Sequence, residues 1–332
     1  MNKIGKYLKL TIFGTSHGPS IGITITGLKK GIKLDWSSIK VEMDRRKPGQ
    51  NPLTTPRKEA DEVCVLTGLK NNLITTGKPL KMIIKNTNIR PHDYLPILRP
   101  GHADWTALIK YHHVATGGGQ FSGRLTAPIV FVGAIIKQVL KQEYGIEINS
   151  KISQIYHTTN PSPKQIAQLI KKAQMQKDSL GGTITLQAQH MIAGLGSDFF
   201  GGIEAKVSEY LFAIPGVKGV EFGDGFKLVE HYGSQTNDAI YIKQKKFYTK
   251  TNHMGGILGG ISNGMDLVCK IAIKPTPSIG QPQHSVNYQT MQPTILATTG
   301  RHDPCIVLRA QVVAEAYLAI AIYELILANE KA

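Results

Sequence analysis

The sequence predicts a mixed α/β fold, in which strands and helices interleave without the regular βαβ rhythm of a doubly wound sheet. Three observations lead there. The chain has 332 residues, 41% hydrophobic and 19% charged, which is the composition of a globular protein with a sizeable core, in one large domain or two ordinary ones. Short β-branched runs recur along it, with apolar stretches of helical length between them. No repeat, low-complexity tract or Pro/Gly/Ser linker divides it.

In chain order, 8–13 and 21–26 read as strands flanking a turn at 14–19, and 81–86, 183–189 and 266–273 read as further strands. Helices are expected at 127–143, 163–177, 202–213 and 309–328. The second has the clearest start: Ser162 can cap it, Pro163 suits its first turn, and Ile166, Leu169, Ile170 and Ala173 form one apolar stripe. The third stops before Pro215-Gly216. The apolar runs 125–140 and 310–328 are interrupted by Lys137, Glu315 and Glu324, so they read as buried helices; a membrane span needs about 20 largely uncharged residues. The stretch 42–62, rich in Arg, Lys, Pro and Gly, is expected to be a long functional loop.

The formal charge of +16 comes from 39 Lys and Arg against 23 Asp and Glu. Such a balance brings nucleic acid to mind, yet the lysines are scattered and no aromatic-basic motif or finger spacing accompanies them. An anionic small substrate, or charge spread over solvated faces, accounts for the same excess. Cys64, Cys269 and Cys305 form no C-x-x-C pair, which fits a reduced, cytoplasmic protein without a cysteine metal site. Residues 1–12 contain no long apolar segment of the secretory type.

Six segments carry groups capable of chemistry. In Phe13-Gly14-Thr15-Ser16-His17-Gly18, a histidine between glycines at a strand end is uncrowded and could act as an acid or bind an anion. Asp44-Arg45-Arg46-Lys47-Pro48-Gly49-Gln50, with Thr55-Pro56-Arg57-Lys58 after it, offers guanidiniums that fork onto carboxylate or phosphate oxygens. Arg99-Pro100-Gly101-His102-Ala103-Asp104 sets a histidine beside a carboxylate that could orient its ring or simply cap a helix. Gly117 to Arg124 is a glycine-rich loop entering a helix, with free N–H groups for a phosphate, but it matches neither Walker A nor G-x-G-x-x-G. Lys274-Pro275-Thr276-Pro277-Ser278 is held extended by its prolines and follows the glycine-rich stretch 255–264. Arg301-His302-Asp303 stands before the last helix, where a buried aspartate could serve as a base. Taken singly, each is equally a solvated loop, a turn or a cap.

Their order and wording together resemble the chorismate synthase family. The strings are GTSHG, DRRKPGQ, TPRKEADEV, RPGHAD, GGGQFSGRLTA, KGVEFGDGF, GGILGGISNG, KPTPSI and GRHDPC, spread over nearly the whole chain. The resemblance implies an α+β fold, a β-α-β sandwich in one domain over 1–332. It implies a cytoplasmic homotetramer that binds neither nucleic acid nor membrane. It also implies a lyase of the shikimate pathway, leading to aromatic amino acids. The reaction would convert 5-enolpyruvylshikimate-3-phosphate to chorismate and phosphate by 1,4-anti elimination with reduced FMN, which some members regenerate with NADPH. On the matching positions, His17 would protonate the departing phosphate and His102 the reduced flavin, while Asp303 would help to remove the ring proton. Arg45, Arg46, Arg124 and Arg301 would clamp the substrate. Arg46, Gln120, Phe121, Ser122, Pro215, Gly216, Gly259, Lys274, Pro275, Thr276, Pro277, Ser278 and Arg301 would hold FMN.

The sequence departs from the family's usual wording near these groups. Thr15 stands where a glutamate is usual, Gln120 for arginine, Phe121 for serine, Gly123 for alanine and Leu125 for glutamate. An arginine usual near Pro52 is absent, an Arg-Asp-bearing stretch reads His113-Val114-Ala115-Thr116, and Leu308 replaces a proline. Glutamine cannot reproduce a forked arginine contact, though His112 and His113 add new charge nearby. A protein that keeps the fold and flavin pocket with reduced or lost turnover is therefore the second expectation.

Overall fold

The computed structural model describes residues 2–49, 53–55, 57–89, 95–115, 117–298 and 303–331. Two antiparallel five-stranded sheets enclose a layer of helices. The first sheet contains β1 (Lys3–Ile4), β2 (Lys9–Gly14), β3 (Ser20–Thr26), β4 (Cys64–Thr67) and β5 (Leu80–Lys85), in the order β1-β2-β3-β5-β4. The second contains β6 (Glu147–Ile155), β7 (Thr158–Thr159), β8 (Gly182–Gln189), β9 (Val217–Phe222) and β10 (Leu267–Ile273), in the order β9-β10-β8-β6-β7. Strand alternation sets which face is buried: Ile21, Ile23 and Ile25 on β3, and Leu267, Cys269, Ile271 and Ile273 on β10, point into the core.

The helices are α1 (Trp36–Arg46), α2 (Asp104–Tyr111), α3 (Thr126–Tyr144), α4 (Pro163–Met175), α5 (Ile203–Phe212) and α6 (Val307–Asn329). Helices α3 and α6 pack against each other and against strands of the two sheets, giving the β-α-β sandwich. Both are long and apolar enough to cross a membrane, but 83% and 94% of their apolar windows are buried inside the fold, so their hydrophobicity is spent on the core. Their close crossing needs Gly133, where any side chain would collide with Ala316. The two acids of α6 are compensated. Glu315 accepts from Arg45, Lys137 and Ser150, and Glu324 accepts the backbone N–H groups of Lys6, Tyr7 and Leu8. Helix α4 begins with a capping box between Ser162 and Gln165 and buries Ile170 and Ala173.

The expected loop at 42–62 is only partly a loop. Residues 42–46 complete α1, which starts at Asp35, whose side chain accepts the N–H groups of Ser37 and Ser38. Ile39 and Met43, one helical turn apart, bury the inner face and bring Arg46 inside with them.

Candidate active site

Loops from both sheets meet the N-terminal ends of α3 and α6 around a cleft of about 950 Å3, a size suited to a cofactor and a small ligand. His17 comes from the β2–β3 turn, and Arg99 and His102 precede α2. Gln120, Phe121 and Ser122 precede α3, Pro215-Gly216 follows α5, and Lys274–Ser278 follow β10. A smaller lobe of about 230 Å3 adjoins it, sharing Arg57, Ser122, Pro215, Thr276 and Ser278, and is lined further by Arg46, Arg124, Asp303 and Arg309.

In the larger cleft the His17 ring is fixed on two sides. Ser16 Oγ lies 2.9 Å from its Nδ1, and the ring rests against Gly117, where a side chain would collide with it. The Ser16 N–H donates to the Gly119 carbonyl at 3.2 Å, which ties the histidine turn to the glycine-rich loop. Arg99 steadies the same loop by donating to the Gly117 carbonyl at 2.6 Å. The other edge of Arg99 forks onto Asp104, at 2.6 and 2.7 Å. Burial of Asp104 opposes its ionisation, but Arg99 overcomes that and holds the acid below its ordinary range. Asp104 is thus engaged mainly in orienting Arg99, while Ser278 Oγ lies 2.6 Å from His102 Nε2. Lys274 donates to the Gly101 carbonyl at 2.6 Å, and its ammonium is lowered by burial and by the nearby charge of Lys218.

The inner lobe is ionic, and its Arg46, Arg124 and Asp303 side chains are buried. Arg46 and Arg124 meet on the carboxylate of Asp61, Arg46 Nη1 at 2.8 Å from Oδ2 and Arg124 Nη1 on Oδ1. Arg46 Nη2 also donates to the Gly123 carbonyl at 2.9 Å, and Arg124 Nε to Asn86 Oδ1 at 3.1 Å. Burial pushes the Arg46 guanidinium down to about 10 despite Asp61, so it stays protonated at neutral pH. Arg57 binds Glu59 through Nε and Nη2 at 3.1 and 2.6 Å, and Thr87 donates to the other Glu59 oxygen through its N–H and hydroxyl. Burial would raise the Glu59 carboxyl; Arg57, Thr87 and Arg124 instead hold it at about 2. Asp303 accepts from Arg309 Nε and Nη2 on Oδ2, at 3.0 and 2.5 Å, and from the Cys305 N–H on Oδ1 at 3.3 Å. Two buried polar atoms on these walls, Arg124 Nη2 and Thr276 Oγ1, have no hydrogen-bond partner among the described residues. An unpaired buried donor is costly, and in a cleft it is a place for ligand oxygens.

Of the residues singled out from the sequence, His17, His102, Gln120, Phe121, Ser122, Pro215, Gly216 and Lys274–Ser278 line the larger cleft, and Arg46, Arg124 and Asp303 line the inner lobe. Two are placed elsewhere. Arg45 projects from the opposite side of α1 onto Glu42 and Glu315. Gly259 sits at the turn of the hairpin formed by Ile257–Leu258 and Ile261–Ser262, whose Gly260 carbonyl accepts the N–H of Ile203 at the start of α5. Arg301, Pro52 and Thr116 lie outside the described residues. His112 and His113 are exposed just beyond α2 and do not line the cleft. Sequence reasoning missed Glu59, Asp61, Asn86 and Arg309. The one available signal was the alternation Arg57, Glu59, Asp61, which in extended chain sets three charges on one side.

Five guanidiniums, two histidines and the N-terminal ends of two long helices around one cleft make a site suited to an anionic small molecule. The family model described as chorismate synthase matches residues 8–327. Curated relatives of that name include the protein of Dehalococcoides mccartyi strain BAV1, 39% identical, with 98% of this chain and 96% of the relative covered. That of Methanocaldococcus jannaschii is also 39% identical over the same shares, and that of Methanocella arvoryzae is 40% identical over 97% and 93%. A solved structure titled as the crystal structure of chorismate synthase superposes with a TM-score of 0.77 at 26% identity, covering 98% of this chain and 93% of that one. The chain belongs to the chorismate synthase family, and it is an enzyme, a lyase of the shikimate pathway.

Proposed function

We propose that this chain converts 5-enolpyruvylshikimate-3-phosphate to chorismate and phosphate by 1,4-anti elimination, with FMN in its reduced form. The observation that carries the reading is one continuous site in which His17 and His102 share a cleft and Arg46, Arg57, Arg124, Arg309 and Asp303 close its inner lobe. A substrate with two carboxylates and a phosphate needs this surplus of guanidinium, and the departing phosphate needs a proton donor.

As general acid for the leaving phosphate His17 would be the imidazolium, its Nδ1–H donating to Ser16 Oγ and its Nε2–H left for the phosphate. Arg124 offers Nη2, already buried and without a hydrogen bond among the described residues, to a substrate oxygen. Arg309 holds one oxygen of the Asp303 carboxylate, which would accept the ring proton once that contact loosens. Donors of this kind, fixed before the substrate arrives, are each worth about 3 kcal/mol in a water-poor site.

FMN fits the same cleft. Its volume accommodates a flavin beside a cyclohexene ring, Thr276 Oγ1 lacks a partner, and Gln120–Ser122 and Lys274–Ser278 offer amides, hydroxyls and one ammonium for polar edges and a phosphate. When bound, the reduced flavin supplies electron density to the breaking allylic C–O bond and takes it back. His102, 2.6 Å from Ser278, would hold a proton or hydrogen bond towards it.

The deciding experiment is an anaerobic assay with photoreduced FMN, following chorismate absorbance. Chorismate formation at catalytic FMN concentration supports the reading, and flavin binding without product would replace it by that of a pocket that has lost turnover. A parallel run with oxidised FMN and NADPH identifies the source of electrons. We further propose one catalytic domain per chain and a cytoplasmic homotetramer, in which exposed side chains such as Phe199, Phe200, Phe226, Val229 and Phe247 would be candidates for burial between subunits. A sedimentation measurement tests the assembly.

A further inference from the structure

Arg46 and Arg124 reach the inner lobe from different elements, the last turn of α1 and the turn entering α3. Neither is held by its own neighbours in sequence. Both converge on Asp61, whose side chain is wholly buried and which does not itself line the cleft. Its backbone adopts φ 54°, a left-handed conformation that aspartate accepts more readily than most non-glycine residues. That twist turns the carboxylate inward so that one oxygen serves each guanidinium.

The consequence for Arg124 is specific. Nη1 is spent on Asp61 and Nε on Asn86, while Nη2, buried and on a residue lining the lobe, lies 4.0 Å from Glu59 Oε2 and makes no hydrogen bond among the described residues. Without Asp61, the mutual repulsion of Arg46, Arg124 and Arg309, all in a region of low dielectric, would drive the guanidiniums apart. We propose that Asp61 is a positioning residue for the elimination: it locks Arg46 and Arg124 together so that Arg124 Nη2 points at an oxygen of the substrate's anionic groups. The proposal rests on the reading that Arg124 binds substrate.

The test is a double-mutant cycle on the full-length enzyme with Asp61→Asn, Arg124→Lys and the pair, reading KM and kcat for the phosphorylated substrate, its affinity by calorimetry, and the thermal midpoint. Asp61→Asn should raise KM and weaken calorimetric affinity about 10- to 30-fold, and in the Arg124→Lys background it should add less than 2-fold, because the geometry it protects is already lost. Asp61→Glu, which keeps the charge but displaces the oxygens, should fall between, and it serves as the test variant if Asp61→Asn does not fold. An unchanged KM in a folded Asp61 variant, or losses that multiply fully with those of Arg124→Lys, overturns the proposal by leaving Asp61 a purely structural acid. An unchanged KM in Arg124→Lys itself would instead overturn the underlying reading of Arg124.

Discussion

Arg45 and Arg46 are neighbours in sequence, yet they serve two different ionic clusters on opposite sides of α1. A step of one residue turns a helix by about 100°, enough to send Arg45 to Glu315 and Arg46 to Asp61. The Glu315 cluster is saturated: Arg45, Lys137 and Ser150 satisfy its oxygens, Glu42 takes the remaining edges of the two cations, and none of these side chains lines the cleft. The Asp61 cluster is left open at one donor, Arg124 Nη2. Both clusters centre on a buried carboxylate, although Arg45 is partly exposed where Arg46 and Arg124 are buried. The difference teaches that burial and pairing alone do not mark a functional charge; a leftover donor facing a cavity does.

The largest expected effect lies on the open side. His17→Ala should lower kcat by about 100- to 10,000-fold, the range for loss of a general acid, while FMN affinity by fluorescence titration stays within 2-fold. A near-normal rate would remove His17 from the chemistry. Next comes Arg46→Ala, which strands Asp61 without one of its two cations and should cost about 3–5 kcal/mol in a denaturant titration, together with a raised KM.

Acid pH should weaken both clusters. Glu315 and Glu59 are each held at about 2 against an ordinary 4.5. For Glu315, burial opposes the shift, and Arg45 and Lys137 drive it. A carboxyl lowered on folding stabilises fully above 4.5 and loses that contribution as pH falls towards 2, about 2–3 kcal/mol for Glu315. Thermal midpoints measured from pH 6 to pH 2 should therefore drop on the acid side, with a shallower fall in Glu315→Gln and Glu59→Gln; parallel curves would show that these acids are not the source.

Smaller effects separate the clusters most cleanly. Arg45→Ala should cost about 1 kcal/mol, because Arg45 is half-exposed and Lys137 and Ser150 still hold Glu315, and it should leave KM unchanged. A KM rise comparable to that of Arg46→Ala would erase the distinction drawn here. The smallest change, about 5-fold or 1 kcal/mol, is expected for Gln120→Arg as tighter FMN or substrate binding at the cleft wall; unchanged affinity would mean that the pocket has adapted to glutamine.

The sequence by itself determined what local forces decide. β-Branched content placed β3, β8 and β10, the Ser162 cap with Pro163 and the apolar stripe behind it placed α4, and the apolar runs placed α3 and α6, because strand propensity, cap chemistry and helix length are written in neighbouring residues. It missed α1, whose Ile39–Met43 stripe is only two residues wide beneath a charged surface. Motif wording likewise carried the family, His17, His102 and the loops around them. Which of two adjacent arginines faces the cleft, which acid bridges Arg46 to Arg124, and which carboxylate occupies Arg309 were decided only by the tertiary structure. Partners at 46, 61 and 124, or at 303 and 309, are chosen by helix rotation, backbone twist and burial, and charge in a sequence has no direction until the chain has packed.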